Sequence, residues 1–189
     1  MSILKIGDIA PSFRLLNVDG KYYSLEDFKS NKILVVIFTC NHCPTAQAYE
    51  KRIIEIARDF TDKGVKIVVI NSNDDESFPE DSYENMITRY DEKCFNFPYL
   101  RDDDQTVALS YLPLVTPDIF VFDEYRRLRY RGAIDDNRWE DTNVKLRYLR
   151  EVIENLLNGK NPKYSEIQAV GCGIKWKNEL SDRVQKLLS

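Results

Sequence analysis

The stretch KILVVIFTCNHCP, residues 32–44, decides the reading of this chain. Residues 33–38 are consecutive apolar side chains with no alternation, the pattern of a strand buried on both faces of a sheet. Cys40-Asn41-His42-Cys43 follows Thr39, and Pro44 suits the first turn of a helix, where a missing N–H is no loss. Two thiols two residues apart therefore stand at a strand-to-helix switch. The unpaired N–H groups and partial positive charge of a helix N-terminus stabilise a thiolate, which is the reactive form of cysteine. The short gap also lets the sulfurs meet with little backbone movement, the condition for a reversible disulfide. On this reading Cys40 is the more exposed thiol and attacks a disulfide, while Cys43 lies further in and resolves the mixed disulfide. Asn41 and His42, the chain's only histidine, set the redox poise by placing an imidazole beside Cys40.

Tyr49, Ile53, Ile56, Ala57 and Phe60 recur at helical spacing up to Gly64, a stop signal, and residues 65–70 are a second apolar strand. Strand, helix, strand is the unit of a parallel sheet. On the N-terminal side, Phe13, Leu15 and Val18 mark a short strand, Asp19-Gly20 a turn, Tyr22-Tyr23 the return, and Ser24 the cap of a short helix over 25–28. Beyond residue 70 the sequence predicts an acidic loop over 71–81 and a helix opened by Ser82 that ends near Cys94. A strand at 97–100, a helix at 105–111, a loop at 113–117 and strands at 118–123 and 127–131 follow. A helix over 143–158, an irregular tail over 160–177 and an amphipathic helix over 179–188 complete the chain. The order describes one α/β domain, residues 1–189, with a core at 30–160, an N-terminal β-hairpin and a C-terminal extension at 160–189.

Composition narrows the function. The 189 residues carry a net charge of -4, too mild a field to argue for nucleic acid or an anionic membrane. No apolar run approaches the roughly 18 residues of a membrane span, and residues 1–13 lack a secretory apolar region, so the expected compartment is the cytoplasm. A chain of this size needs no disulfide scaffold, so its four cysteines are there for chemistry or as inert side chains. A structural zinc needs four ligands, and Cys94 and Cys172 are isolated, so neither metal nor cofactor is expected. Cys94 reads as a small buried hydrophobe, and Cys172, between Gly171 and Gly173, as a thiol in an exposed tail that Trp176 pins to the core. The clusters Asp74-Asp75-Glu76 and Asp102-Asp103-Asp104 lack calcium-loop spacing and read as solvated loops. Arg127, Arg129 and Arg131 alternate with Leu128 and Tyr130, as on a strand with one wet face.

Several further stretches accompany the Cys-Asn-His-Cys-Pro site: Gly7-Asp8, Ala10-Pro11-Ser12-Phe13, Asp19-Gly20-Lys21, residues 25–28, Thr116-Pro117-Asp118, Tyr130-Arg131-Gly132, Asp135-Asp136-Asn137 and residues 171–177. This ordered set resembles the thioredoxin superfamily, and within it the thioredoxin-like AhpC/TSA-type redoxins. The resemblance implies a thioredoxin-like fold, a central mixed sheet flanked by helices, and a thiol–disulfide oxidoreductase acting on protein or small-molecule disulfides and dithiols with an unidentified electron donor, as a monomer or weak homodimer. It further implies that Pro117 is cis and packs against the two cysteines, and that Thr116 offers its backbone to a substrate. There are departures. Thr39 replaces a common Trp, Val115 stands where relatives often carry a cysteine, and Leu34 replaces a buried Asp that accepts a proton from the second cysteine, leaving Asp135 or Asp136 as candidate. The competing resemblance is to peroxiredoxins, whose reactive cysteine sits in Pro-x-x-x-Thr-x-x-Cys. Ile37 lies three residues before Cys40, and Cys40 three before Cys43, so that motif fails, with Arg131 a distant substitute for its arginine. A third reading is a non-catalytic redox-sensing module.

Overall fold

In the computed structural model, which describes residues 3–189, the chain opens with a hairpin of β1 (Arg14–Asn17) and β2 (Tyr22–Ser24). Met1 and Ser2, part of the N-terminal stretch considered above, lie outside the described residues. The Ser24 N–H and hydroxyl both donate to Asp27, at 2.7 and 2.8 Å, closing a capping box on a single 3-10 turn, Leu25–Phe28. Then come β3 (Ile33–Thr39), α1 (Pro44–Phe60), β4 (Val65–Asn71), α2 (Tyr83–Lys93), β5 (Tyr99–Arg101) and α3 (Thr106–Tyr111). The chain continues through β6 (Val115–Thr116), β7 (Asp118–Phe122), β8 (Leu128–Gly132), α4 (Tyr148–Leu157), β9 (Glu166–Ile167), β10 (Cys172–Gly173) and α5 (Asn178–Leu188).

Eight strands form one mixed sheet in the order β2-β1-β5-β4-β3-β7-β8-β9. β3 lies near its middle, parallel to β4 and antiparallel to β7. Its seven residues are all buried, and their alternation divides the core. Ile33, Val35 and Ile37 face a layer built by α1 and α4, through Tyr49, Ile53, Ile56, Leu149, Val152 and Ile153. Leu34, Val36 and Phe38 face the opposite layer, with Phe13, Phe28, Val107, Ala108 and Tyr111. The period-2 geometry of a strand explains why an unbroken apolar run serves two cores at once.

Five expectations change. The helix expected from 143 starts at Tyr148, because a 3-10 turn, Asp141–Asn143, ends on an extended Val144. The tail expected to be irregular supplies β9, parallel to β8, and β10, antiparallel to β6 within the expected loop 113–117. At the first of these junctions the backbones approach so closely that a Cβ on Gly132 (φ +129°) would lie 1.6 Å from the Ile167 carbonyl oxygen. Arg131 does not face water. It is buried over the Phe120 ring, donates to the Leu112 carbonyl at 2.8 Å and pairs with Asp118 at 3.5 Å. The acidic clusters are only partly solvated, since Asp74 and Asp102 are buried. Asp102 accepts from the Ser72 hydroxyl and from the Val107 and Ala108 N–H groups at the start of α3. Cys94 is exposed at the left-handed C-cap of α2, so it is not the buried hydrophobe expected, whereas Trp176 does pack against the core.

Leu34 has no exposed surface. Leu34→Ala removes a well-packed side chain and is expected to lower stability by about 2–5 kcal/mol, read as a shifted urea midpoint with an unchanged slope.

Candidate active site

β3 ends at Thr39, and Cys43 is the residue immediately before Pro44, the N-cap of α1. Cys43 rather than Cys40 therefore stands at the helix terminus, a shift by one short turn from the sequence expectation. Pro44 has no N–H to offer, and Ala46, in the first turn of α1, packs with Cys40 and Cys43. Neither thiol is open to solvent: Cys40 is 2% exposed and Cys43 0%. The expected exposure of Cys40 fails because β6 and β10 close over the pair. All four cysteines are free thiols.

Cys40, Cys43 and Ala46 form one buried cluster, and Cys172 packs against it. The neighbouring Cys40 thiol, the largest effect, pulls the Cys43 pKa down to about 4 against the opposing effect of burial. Donating to Cys43, and being buried, pushes the Cys40 thiol well above the ordinary range. Of the two thiols Cys43 is thus the more acidic. In its protonated form the Cys43 thiol donates to the Thr116 carbonyl at 3.5 Å.

The Thr116–Pro117 peptide is cis. It brings Thr116 against both cysteines: its carbonyl faces Cys43, and its hydroxyl lies 3.2 Å from Cys40 Sγ. The same hydroxyl donates to the Cys172 carbonyl at 3.3 Å, and Cys172 is paired with Thr116 in the β6–β10 ladder. Cys172, isolated in sequence, is in this way the third thiol of the cluster.

Asn41 and His42 are held by a residue that the sequence did not single out. Asp81, fully buried, accepts from the Asn41 N–H (2.5 Å) and Asn71 Nδ2 (3.1 Å) on one oxygen, and meets His42 Nδ1 (2.6 Å) and Asn73 Nδ2 (2.9 Å) on the other. The Tyr99 hydroxyl donates to Asn41 Oδ1 at 2.7 Å, and Gln47 Nε2 donates to the Asn41 carbonyl at 2.7 Å. His42 stacks on Phe78 with ring centroids 5.1 Å apart. An Asp81 contact orients the imidazole, one of whose nitrogens lies within 4.8 Å of Cys40 Sγ. Cys40, His42 and Asp81 are the residues that could hold a metal. Both Asp81 oxygens already carry two hydrogen-bond partners, so the set matches an orienting dyad beside a thiol better than a four-ligand zinc cage.

The other acids expected near the cysteines are engaged elsewhere. Asp135 accepts from the Tyr49 hydroxyl and Arg52, and Asp136 from the Lys145 N–H. Neither bonds a cysteine. One signal for the missed network was present: Thr39, Asn71 and Arg101 end β3, β4 and β5, three neighbouring strands parallel to one another, and sites form at the carboxyl ends of such strands. Asn71 and Asn73 lie there. Asp81 carried no local signal, being ten residues beyond Asn71 in an acidic loop.

The AhpC/TSA family matches residues 6–131. The chain belongs to the AhpC/TSA family. A Mycobacterium tuberculosis protein named as a peroxiredoxin, Rv2521, is 31% identical over 107 residues, which are 56% of this chain and 62% of that relative, so this chain spans less than two thirds of it. The thiol-disulfide oxidoreductase ResA of Bacillus thuringiensis is 24% identical over 152 residues, 79% of each chain. A solved structure of an uncharacterized conserved protein from Geobacillus kaustophilus superposes with a TM-score of 0.87 at 39% identity, covering 93% of this chain and 94% of that one. Likeness to a thiol:disulfide interchange protein DsbE structure from Chlorobium tepidum (TM-score 0.66, 18% identity, 82% of this chain and 99% of that one) is one of fold, and that fold is thioredoxin-like. The named relatives are thiol redox proteins. No helix among the described residues is long and apolar enough to cross a membrane.

Asp81→Ala strips the acceptor from four buried or half-buried partners. At about 1–3 kcal/mol for each donor left unsatisfied, a loss of roughly 3 kcal/mol or more is expected in chemical denaturation, with a smaller loss for Asp81→Asn. A depressed thiol pKa means that the native state binds fewer protons than the unfolded chain. The stability this contributes is present above the ordinary thiol pKa and is lost as pH falls towards about 4. The ultraviolet absorbance of the reduced protein should accordingly show one thiolate at neutral pH that disappears in that acidic range, and Cys43→Ser should abolish it.

Proposed function

We propose that the chain is a thiol–disulfide oxidoreductase whose working unit is the Cys40–Cys43 pair, cycling between dithiol and disulfide. The observation that carries this reading is the packing of Cys40 and Cys43 together at the N-terminus of α1, both against Thr116 of the cis Thr116–Pro117 wall. The Cys43 thiolate supplies the charge, the proton on Cys40 is shared towards it, and the imidazole of His42, oriented by Asp81, stands near enough to Cys40 to receive that proton when Cys40 attacks. Either order of attack ends in the same Cys40–Cys43 disulfide and leaves two thiols on the substrate. Asn41 and Pro44 tune the site through the backbone, Asn41 by its bonds to Asp81 and Tyr99, Pro44 by opening the helix. No resident cofactor enters this scheme, and an external dithiol donor closes the cycle. With four free thiols, one exposed, a reducing compartment such as the cytoplasm suits the chain.

Peroxide reduction is the second reading, favoured by the names of relatives such as Rv2521. Against it, Thr is absent three residues before either cysteine, and the Arg131 guanidinium is committed to Asp118 and Leu112.

In a coupled assay with dithiothreitol and a protein or low-molecular-weight disulfide, the wild type should turn over repeatedly. Cys40→Ser and Cys43→Ser should each fall to the uncatalysed background. A single stoichiometric oxidation without turnover would instead describe a sensor, and faster consumption of hydrogen peroxide than of any disulfide would describe a peroxidase.

A further inference from the structure

The thiol pair has no direct opening to solvent, yet a thiol exchanges only with a disulfide whose sulfur it can reach in line. Three features cover it. Strand β10 lies antiparallel to β6, pairing Cys172 with Thr116 and Gly173 with Val115. Gly171 passes so near that an added Cβ would lie 2.0 Å from the Thr116 carbonyl oxygen. Residues beyond β10 are tied across the ends of β4 and β5: the Lys175 N–H donates to Asn73 Oδ1, the Lys175 carbonyl accepts from Asp74 N–H and Gln105 Nε2, and the Lys177 N–H donates to Gln105 Oε1. The tail thus holds the free edge of Thr116 as an added strand would, and the cysteine it carries there packs against the cluster of Cys40 and Cys43. Cys172 is also the one member of this three-thiol cluster that is partly open to solvent.

We propose that Cys172 is a third redox-active thiol, the solvent-side port through which low-molecular-weight disulfides exchange with the buried Cys43 and Cys40. This rests on the oxidoreductase reading given above and names its substrate class. A polypeptide cannot pair with the Thr116 edge while β10 occupies it. A small disulfide needs only to reach Cys172, which is flanked by two glycines with no side chains to obstruct approach. Lys175 and Arg138 set positive charge beside that thiol, which suits a disulfide bearing carboxylates.

The steps balance. The Cys172 thiolate attacks one sulfur of a disulfide RSSR, forming Cys172–SR and releasing RS⁻. The Cys43 thiolate attacks Cys172 Sγ, forming the Cys43–Cys172 disulfide and releasing the second RS⁻. Cys40, giving up its proton, attacks Cys43 Sγ, forming the Cys40–Cys43 disulfide and restoring the Cys172 thiolate. Two electrons pass from the Cys40 and Cys43 sulfurs to RSSR; the two RS⁻ take one proton from Cys40 and one from solvent and leave as two RSH, while Cys172 ends unchanged. The reverse sequence passes a disulfide outward to a dithiol.

The test uses glutathione disulfide as probe, with acid quenching, alkylation of free thiols and peptide mass analysis of the reduced full chain. In Cys40→Ser the reaction should halt at an intramolecular Cys43–Cys172 disulfide. In Cys172→Ser, formation of the Cys40–Cys43 disulfide should slow by about tenfold or more, with its equilibrium potential little changed, because an intermediary alters the route and not the end states. Gly171→Ala, which forces β10 off Thr116, should slow it similarly and provides the same readout should Cys172→Ser fold poorly. A Cys172→Ser or Gly171→Ala protein oxidised as fast as wild type or faster overturns the proposal, as does a Cys40→Ser protein with glutathione on Cys43 and a free Cys172. A wild type that forms the Cys43–Cys172 disulfide but never the Cys40–Cys43 disulfide would overturn the oxidoreductase reading and leave the third thiol standing.

Discussion

A strand buried on both faces can present chemistry only where it ends. β3 is such a strand: its odd-numbered residues are locked into one core and its even-numbered residues into the other. Each fully buried large apolar side chain contributes about 1.5–3 kcal/mol of transfer free energy, so the strand cannot shift register without emptying both layers. Its carboxyl end is fixed in consequence, and Cys40 with it. The helix that follows begins at Pro44, so its N-terminus, with its unpaired N–H groups, falls at Cys43 within one turn of that fixed point.

Order in the two residues between the cysteines depends on a second constraint, the satisfaction of buried polar groups. Asp81, Asn71, Asn73, Asn41 and Tyr99 are all buried, and each bonds another of the set. A partly satisfied network of this kind would be worse than an apolar one, whereas a complete one allows a single arrangement. That arrangement fixes the Asn41 backbone and the His42 ring together, since both hang on the same carboxylate. Burial also raises the Tyr99 hydroxyl well above the ordinary phenol range, so it remains a donor to Asn41 over the working pH range.

The tail joins these two constraints. Asn73 and Gln105 bond its backbone, and Thr116 pairs with it, so the elements that end beside the cysteines also anchor the segment that covers them. Closing the site in this way raises the effect of each nearby dipole and charge on the thiolate, because water no longer screens them.

How much of this was legible in the chain differs by residue. The unbroken run at 33–38, the spacing of the two cysteines and the helical period after Pro44 are local patterns, and local patterns determined the central strand, the helix and the thiol pair. Thr116 and Pro117 came with the family resemblance, and the structure sets Thr116 against both sulfurs. Tertiary structure alone decided which thiol is the more acidic, which acid serves the histidine, and that Arg131 and Asp102 are buried. It also decided that Cys172, 129 residues after Cys43 by number (172 less 43), lies against it. The reason is physical. Periodicity and capping act between neighbours in sequence and can be read there. A pKa, a buried ion pair or a contact between distant thiols depends on which groups the packed sheet ends bring within a few ångströms, and no window of sequence contains them both.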